Sequence, residues 1–146
     1  GYGDFSLNSA SLNTADITLD DGDFIADTIT VNNGTISLSY GDCDFKKASL
    51  SNTTIKSADG DISMNNLYLS EKVKLDLSYG DAVLTLNDST KKTAGFDLIT
   101  HYGTINTSSL TGSHTEKDDE ETFKSEATDG KTVLNISSED GDITIK

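Results

Sequence analysis

The pair Gly-Asp recurs along the chain at Gly3-Asp4, Gly22-Asp23, Gly41-Asp42, Gly60-Asp61, Gly80-Asp81 and Gly141-Asp142, with Gly103-Thr104 as a variant. The intervals between these glycines are 19, 19, 19, 20, 23 and 38 residues, the last being twice the first. Self-similarity at a period near 20 marks a solenoid, in which each turn of chain is one unit that stacks on its neighbour. Within a repeat, apolar residues fall on every second position. After Gly22 come Phe24 and Ala26, then Ile29 and Val31, then Ile36 and Leu38. A spacing of two is that of strands. Between these blocks two residues are skipped, which returns the next block to the same interior and so marks a corner. In the second repeat the corners are Gly22-Asp23, Asp27-Thr28 and Asn32-Asn33. In the fourth, the later two are Asn65-Asn66 and Ser70-Glu71.

One strand of seven residues, two of three and three two-residue corners account for the 19-residue period. The expected fold is therefore all-β: a single-stranded parallel β-helix of about seven coils of ~19 residues, triangular in section, forming one domain over residues 1–146. Parallel crossovers are nearly always right-handed, so a right-handed wind is expected. Stacked in chain order at ~4.8 Å per coil, the coils make a rod on the order of 35 Å long. Two stretches interrupt the pattern. Residues 87–95 expand the Gly80 coil and read as a loop replacing its second face. Residues 112–131 are acidic and read as a protruding loop or hairpin, after which Val133–Lys146 returns to register.

Composition agrees with many corners around a thin core. Only 34% of residues are apolar, below the ~45–50% usual for globular chains even if glycine is added, and Ser, Thr, Asn and Asp fill the difference. The net charge is −14 and arginine is absent. Nucleic acid is excluded as a partner, because phosphate binding needs a basic footprint. The single cysteine, Cys43, excludes an intrachain disulfide. No apolar run is long enough to cross a membrane as a helix. The chain opens mid-pattern, with Tyr2-Gly3-Asp4 already in register, as expected of a piece of a longer protein.

Three sets of residues are candidates for more than architecture. The first is the Gly-Asp corners. Gly3, Gly22, Gly41, Gly60, Gly80, Gly103 and Gly141 read as structural corners, where a Cβ would be penalised. The column Asp4, Asp23, Asp42, Asp61 and Asp81 reads as backbone caps. Its alternative reading is a Ca²⁺ site, since a hard cation relieves repulsion between stacked carboxylates. The Gly-Gly-x-Gly-x-Asp motif of calcium-bound β-rolls is missing, and no other cofactor is implied. The second set is the residue before each glycine: Tyr2, Asp21, Tyr40, Asp59, Tyr79, Tyr102 and then Asp140. Alternation of phenol and carboxylate separates like charges. It also makes a candidate ligand strip for a sugar, although at this parity the rings are expected to lean inward.

The third set is catalytic, and it is weak. Acidic solenoids offer pairs of carboxylates by chance, and there is no arginine to act as a lyase's base or charge neutraliser. Cys43, His101 and His114 lack a metal-ligand spacing, and no nucleophile triad or phosphate loop is present. The expectation is a protein that is not an enzyme.

Segments such as Ser57-Ala58-Asp59-Gly60-Asp61-Ile62-Ser63-Met64 and Leu134-Asn135-Ile136-Ser137-Ser138-Glu139-Asp140-Gly141-Asp142-Ile143-Thr144-Ile145 resemble the bacterial adhesin-type domains of the DUF4097/DUF2807 kind. The resemblance implies a β-solenoid outside the cell, anchored through a transmembrane or wall-attachment segment that is not in this chain. It implies no catalytic residues. The expected function is a non-catalytic structural or interaction module of a bacterial surface protein whose partner is a cell-surface protein or glycan. The alternatives are a carbohydrate-binding or carbohydrate-active β-helix and a calcium-stabilised scaffold.

Overall fold

A computed structural model of the chain describes residues 1–107 and 110–146. The described residues are all-β apart from one short helix. The first coil comprises β1 (Phe5–Leu12) and β2 (Ala15–Leu19), and the second β3 (Phe24–Val31) and β4 (Gly34–Tyr40). The third comprises β5 (Cys43–Phe45) and β6 (Ala48–Asp59), and β7 (Ile62–Tyr79) runs through the whole fourth coil. Then follow β8 (Ala82–Leu86), α1 (Asp88–Thr93), β9 (Gly95–Thr100) and β10 (Ile105–Asn106). The chain ends with β11 (Ser113–Lys117), β12 (Glu120–Ser125), β13 (Val133–Asp140) and β14 (Ile143–Ile145).

Equivalent positions of successive coils pair in parallel. Phe5 faces Phe24, Phe24 faces Cys43, Cys43 faces Ile62 and Ile62 faces Ala82. The alternation puts Phe24, Phe45, Ile36, Ile55, Met64 and Leu75 in a closed interior, each contributing about 1.5–3 kcal/mol by leaving water. The rings of Phe5, Phe24 and Phe45 form a row with centroids 5.1 and 4.9 Å apart, the first pair tilted and the second edge-to-face. No coil encloses this interior alone, so the strands are stable only as a stack. Left-handed residues sit at the second and third corners: Asn52 and Asn66 at φ 46° and Glu71 at φ 59°. The 20-residue fourth coil carries its extra residue at the third corner. Ser51 faces Ser70, but Thr53 faces Val73. That corner is therefore Ser70-Glu71-Lys72, one residue longer than the spacing predicts.

The expectation of stacking in chain order is wrong at the C-terminal end. β13 pairs in parallel with β7 on one side and β9 on the other, while β14 pairs with β8 and β10. The last turn of chain, β13 and β14, is thus inserted between the turn formed by the end of β7 with β8 and the turn formed by β9 with β10. In that slot Leu134, Ile136, Ile143 and Ile145 are completely buried, which an end position open on one side would not achieve. The slot exists because residues 112–131 reverse the chain. β12 lies antiparallel on β9, with Phe123 opposite Leu98 and buried, and β11 lies antiparallel on β12. The acidic stretch is a hairpin, as expected, but it packs onto the end of the sheet rather than protruding.

The 87–95 stretch also differs from the expected loop. Asn87 caps α1 by accepting the Thr90 amide at 2.8 Å, a favoured helix start. Thr90 is buried and its hydroxyl accepts the Leu69 amide at 3.1 Å, so the helix closes the end of the second face.

Candidate functional site: the glycine corner

Every coil turns at its glycine, and the glycines stack. At Gly41 φ is +127°, a conformation that L side chains rarely adopt. A Cβ there would stand 2.7 Å from the carbonyl carbon of Gly22 and closer still to its oxygen. The same close approach runs from Gly60 to Gly41, Gly80 to Gly60, Gly141 to Gly80 and Gly103 to Gly141. All seven candidate corner glycines occupy this column, in an order that repeats the insertion of the last coil.

The Asp column beside it belongs to the backbone. Asp4 Oδ1 accepts the Asp23 amide at 3.1 Å, Asp23 that of Asp42 at 2.9 Å, and Asp42 that of Asp61 at 2.8 Å. Asp61 accepts from Asp81, Asp81 from Asp142 and Asp142 from Thr104, each at 2.8 Å. Each carboxylate thus satisfies one donor of the next coil, which is a capping role. Among the described residues no cluster of three or more His, Cys, Asp or Glu is arranged to hold a metal. The variant at Gly103 becomes intelligible here. Its coil ends the ladder and needs no acceptor, and the Thr104 hydroxyl donates back to Asp142 at 3.0 Å.

The preceding column is the one the scaffold leaves unused. Tyr2 bridges Asp21, Tyr40 pairs with Asp59, Asp59 with Tyr79, and Tyr79 with Asp140. The Tyr102 amide donates to the carbonyl of Glu139, placing Tyr102 beside Asp140. In space the column reads Tyr2, Asp21, Tyr40, Asp59, Tyr79, Asp140, Tyr102. The alternation that fails in chain order is strict once the last coil is inserted. The rings do not lean inward as parity suggests. Tyr2, Tyr40, Tyr79 and Tyr102 are 87, 62, 59 and 61% exposed, and the intervening aspartates are exposed as well. At this last strand position the backbone is already turning into the glycine corner, so the side chain leaves the core that Leu38 and Ile36 occupy.

At the Tyr102 end the column runs into a groove of about 340 Å³ between His101–Thr104 and the acidic hairpin. Glu116, Asp118, Asp119, Glu120 and Glu121 line its far wall. His101 lies 3.6 Å from Glu120 and 3.8 Å from Glu139. Both distances exceed a hydrogen bond, so attraction arises only when the ring is protonated. His114 bonds to Glu121. The hairpin returns to the stack through a turn built on Asp129, which accepts the Lys131 and Thr132 amides at 2.9 and 2.8 Å and the Thr132 hydroxyl at 2.6 Å. The Thr132 hydroxyl and these amides hold its carboxyl down to about 2. Lys131 meets Glu71 at 2.8 Å, tying the start of the inserted turn to the third corner of the fourth coil. Cys43 is wholly buried, and burial first, then Asp44 and Asp42, pushes its thiol far above the usual range. It is an inert core residue.

Two signals in the sequence announce the insertion: the Tyr/Asp alternation, which only the inserted order completes, and the Gly-Thr variant, which marks the end coil. The acidic groove has no such signal, because its two walls meet only when the hairpin folds back.

Stacked parallel strands, a glycine column and internally bonded carboxylates define a β-solenoid. The chain belongs to the Toastrack DUF4097 family, whose model matches residues 1–146. No curated protein and no solved structure matches it.

Proposed function

We propose that this chain is a non-catalytic interaction module displayed on a bacterial cell surface and anchored by a segment outside residues 1–146. In this reading it winds as a right-handed, single-stranded β-helix of about seven coils, triangular in section. The stack is a rigid rod and its glycine corner is the contact edge. One observation supports this most. The two columns flanking the glycines are treated differently: one spends its carboxylates on the backbone, while the other holds its phenols and carboxylates in solvent. Exposed aromatics in a row mark contact surfaces more often than scaffolding. The partner is a surface protein or a glycan, and the carbohydrate-binding alternative rests on the same four rings.

The test is an array of glycans and matrix proteins probed with the wild type and with a Tyr40→Ser/Tyr79→Ser double variant. The expected result is retention of one class of component by the wild type and its loss in the variant, at an unchanged thermal midpoint. Retention of nothing, or binding indifferent to the two tyrosines, leaves only the scaffold.

A further inference from the structure

The chemistry and spacing of the Tyr/Asp column single out one kind of partner. Neighbouring coils lie ~4.8 Å apart, so like residues in the column recur every ~9.6 Å. Each of Asp21, Asp59 and Asp140 has a tyrosine one coil above and one below. A cation seated on such a carboxylate therefore has a phenol ring on either side, and cations are attracted to aromatic faces within about 6 Å. Two columns meet at this edge. Among the described residues, neither these three aspartates nor the six of the adjacent column is in an ion pair. The edge is an unneutralised line of negative charge on a chain of net charge −14, and it opens at Tyr102 into the acidic groove.

The complement is a linear polycation with a charge every ~9.6 Å. An extended β-strand presents side chains on one face every ~6.6–6.8 Å, which falls out of step after one repeat. A polyproline II helix presents every third residue on one face, and three residues at ~3.1 Å span ~9.3 Å. Over the ~29 Å from Tyr2 to Tyr102 the mismatch accumulates to only ~1 Å. Neutral sugars would stack on the rings but leave the carboxylates uncompensated as water is excluded.

We infer that the glycine corner binds basic polypeptide segments in the polyproline II conformation, with Lys or Arg at every third residue, along the Tyr2–Tyr102 column and with one end in the acidic groove. This rests on the reading of the chain as an interaction module and names the partner class. Such a segment is already extended, so little conformational entropy is lost on docking.

The experiment is fluorescence anisotropy at physiological salt with a labelled peptide of four Lys-Pro-Pro repeats, about twelve residues and ~37 Å long. A peptide of identical composition with its lysines in one block is the comparison. The expected result is at least roughly tenfold tighter binding of the regular peptide. Tyr40→Ser/Tyr79→Ser and Asp59→Asn should each lose on the order of tenfold. Tyr68→Ser, an exposed tyrosine outside the column, should lose nothing, and all variants should keep the wild-type thermal midpoint. Equal binding of the block peptide would show bulk charge attraction alone and overturn the register. No binding of either peptide overturns the inference. If the array then shows a glycan or other component lost in the tyrosine variant, the interaction module stands with a different partner. If nothing binds, both readings fall.

Discussion

Replacing two glycines that share a backbone conformation but not a neighbour separates strain from stacking. Gly41 has φ +127° and, as alanine, would place its Cβ 2.7 Å from the Gly22 carbonyl carbon and 3.1 Å from Asp23 Oδ1. Gly3 has φ +101°, and a Cβ there meets nothing within 4 Å. Positive φ costs both variants about 1–3 kcal/mol. Only Gly41→Ala adds the collision, and forcing a methyl against fixed backbone costs about another 1–3 kcal/mol. Gly3→Ala is therefore expected to lose about 1–3 kcal/mol, and Gly41→Ala about 1–3 kcal/mol more than that. At this chain length the thermal midpoint moves roughly 2–4 °C per kcal/mol, so Gly41→Ala should melt about 2–12 °C below Gly3→Ala. Melting followed by far-ultraviolet circular dichroism measures both. Equal shifts would mean that the column is held by dihedral preference alone and that the close approach of successive corners has no energetic weight.

The inserted order has a covalent test. Val83→Cys/Thr144→Cys and Asn106→Cys/Thr144→Cys join registered neighbours and should form disulfides on mild oxidation. Val83→Cys/Asn106→Cys spans two spacings, ~9.6 Å, and should not; a bridge there would restore chain order. Cys43 is wholly buried and should react with thiol reagents only on unfolding. At the ladder, Asp61→Ala orphans the Asp81 amide and should cost about 1 kcal/mol. Asp61→Asn keeps an acceptor oxygen and relieves one of the stacked charges, so its melting midpoint should stay near wild type. Equal midpoints in calcium and in chelator are expected for the wild type, and a rise with calcium would restore the metal reading. Asp129 titrates at about 2 rather than the usual 3.8. With the folded value depressed, its contribution is present above about pH 4 and lost as pH falls toward 2. A carboxyl titration by NMR with a midpoint near 3.8 would refute the turn described for it.

Most of the coil was legible in the chain. The period-two placement of Phe24, Ala26, Ile29, Val31, Ile36 and Leu38 determines which residues face inward, because a strand offers its side chains only two directions. The two-residue skips mark the corners for the same reason. The departures from the pattern are local. Lys72 joined a corner drawn two residues wide, since counting back from Gly80 hides where an extra residue enters. Residues 88–93 formed a helix because Asn87 and Thr90 cap and bury it, an outcome that six polar residues do not announce. Strand parity points the tyrosine rings inward, but parity stops applying where the backbone turns into the glycine corner.

By itself the sequence determined the repeat, its corners, its strand faces and the two columns that flank the glycine. Which coil lies beside which was decided only by the tertiary structure. Every coil presents the same backbone edge and a similar apolar interior, so local pattern cannot rank one neighbour above another. The hairpin at 112–131 reverses the chain and caps the end. The last turn then gains two paired edges by entering between the β7–β8 turn and the β9–β10 turn, and only that order brings Asp140 between Tyr79 and Tyr102.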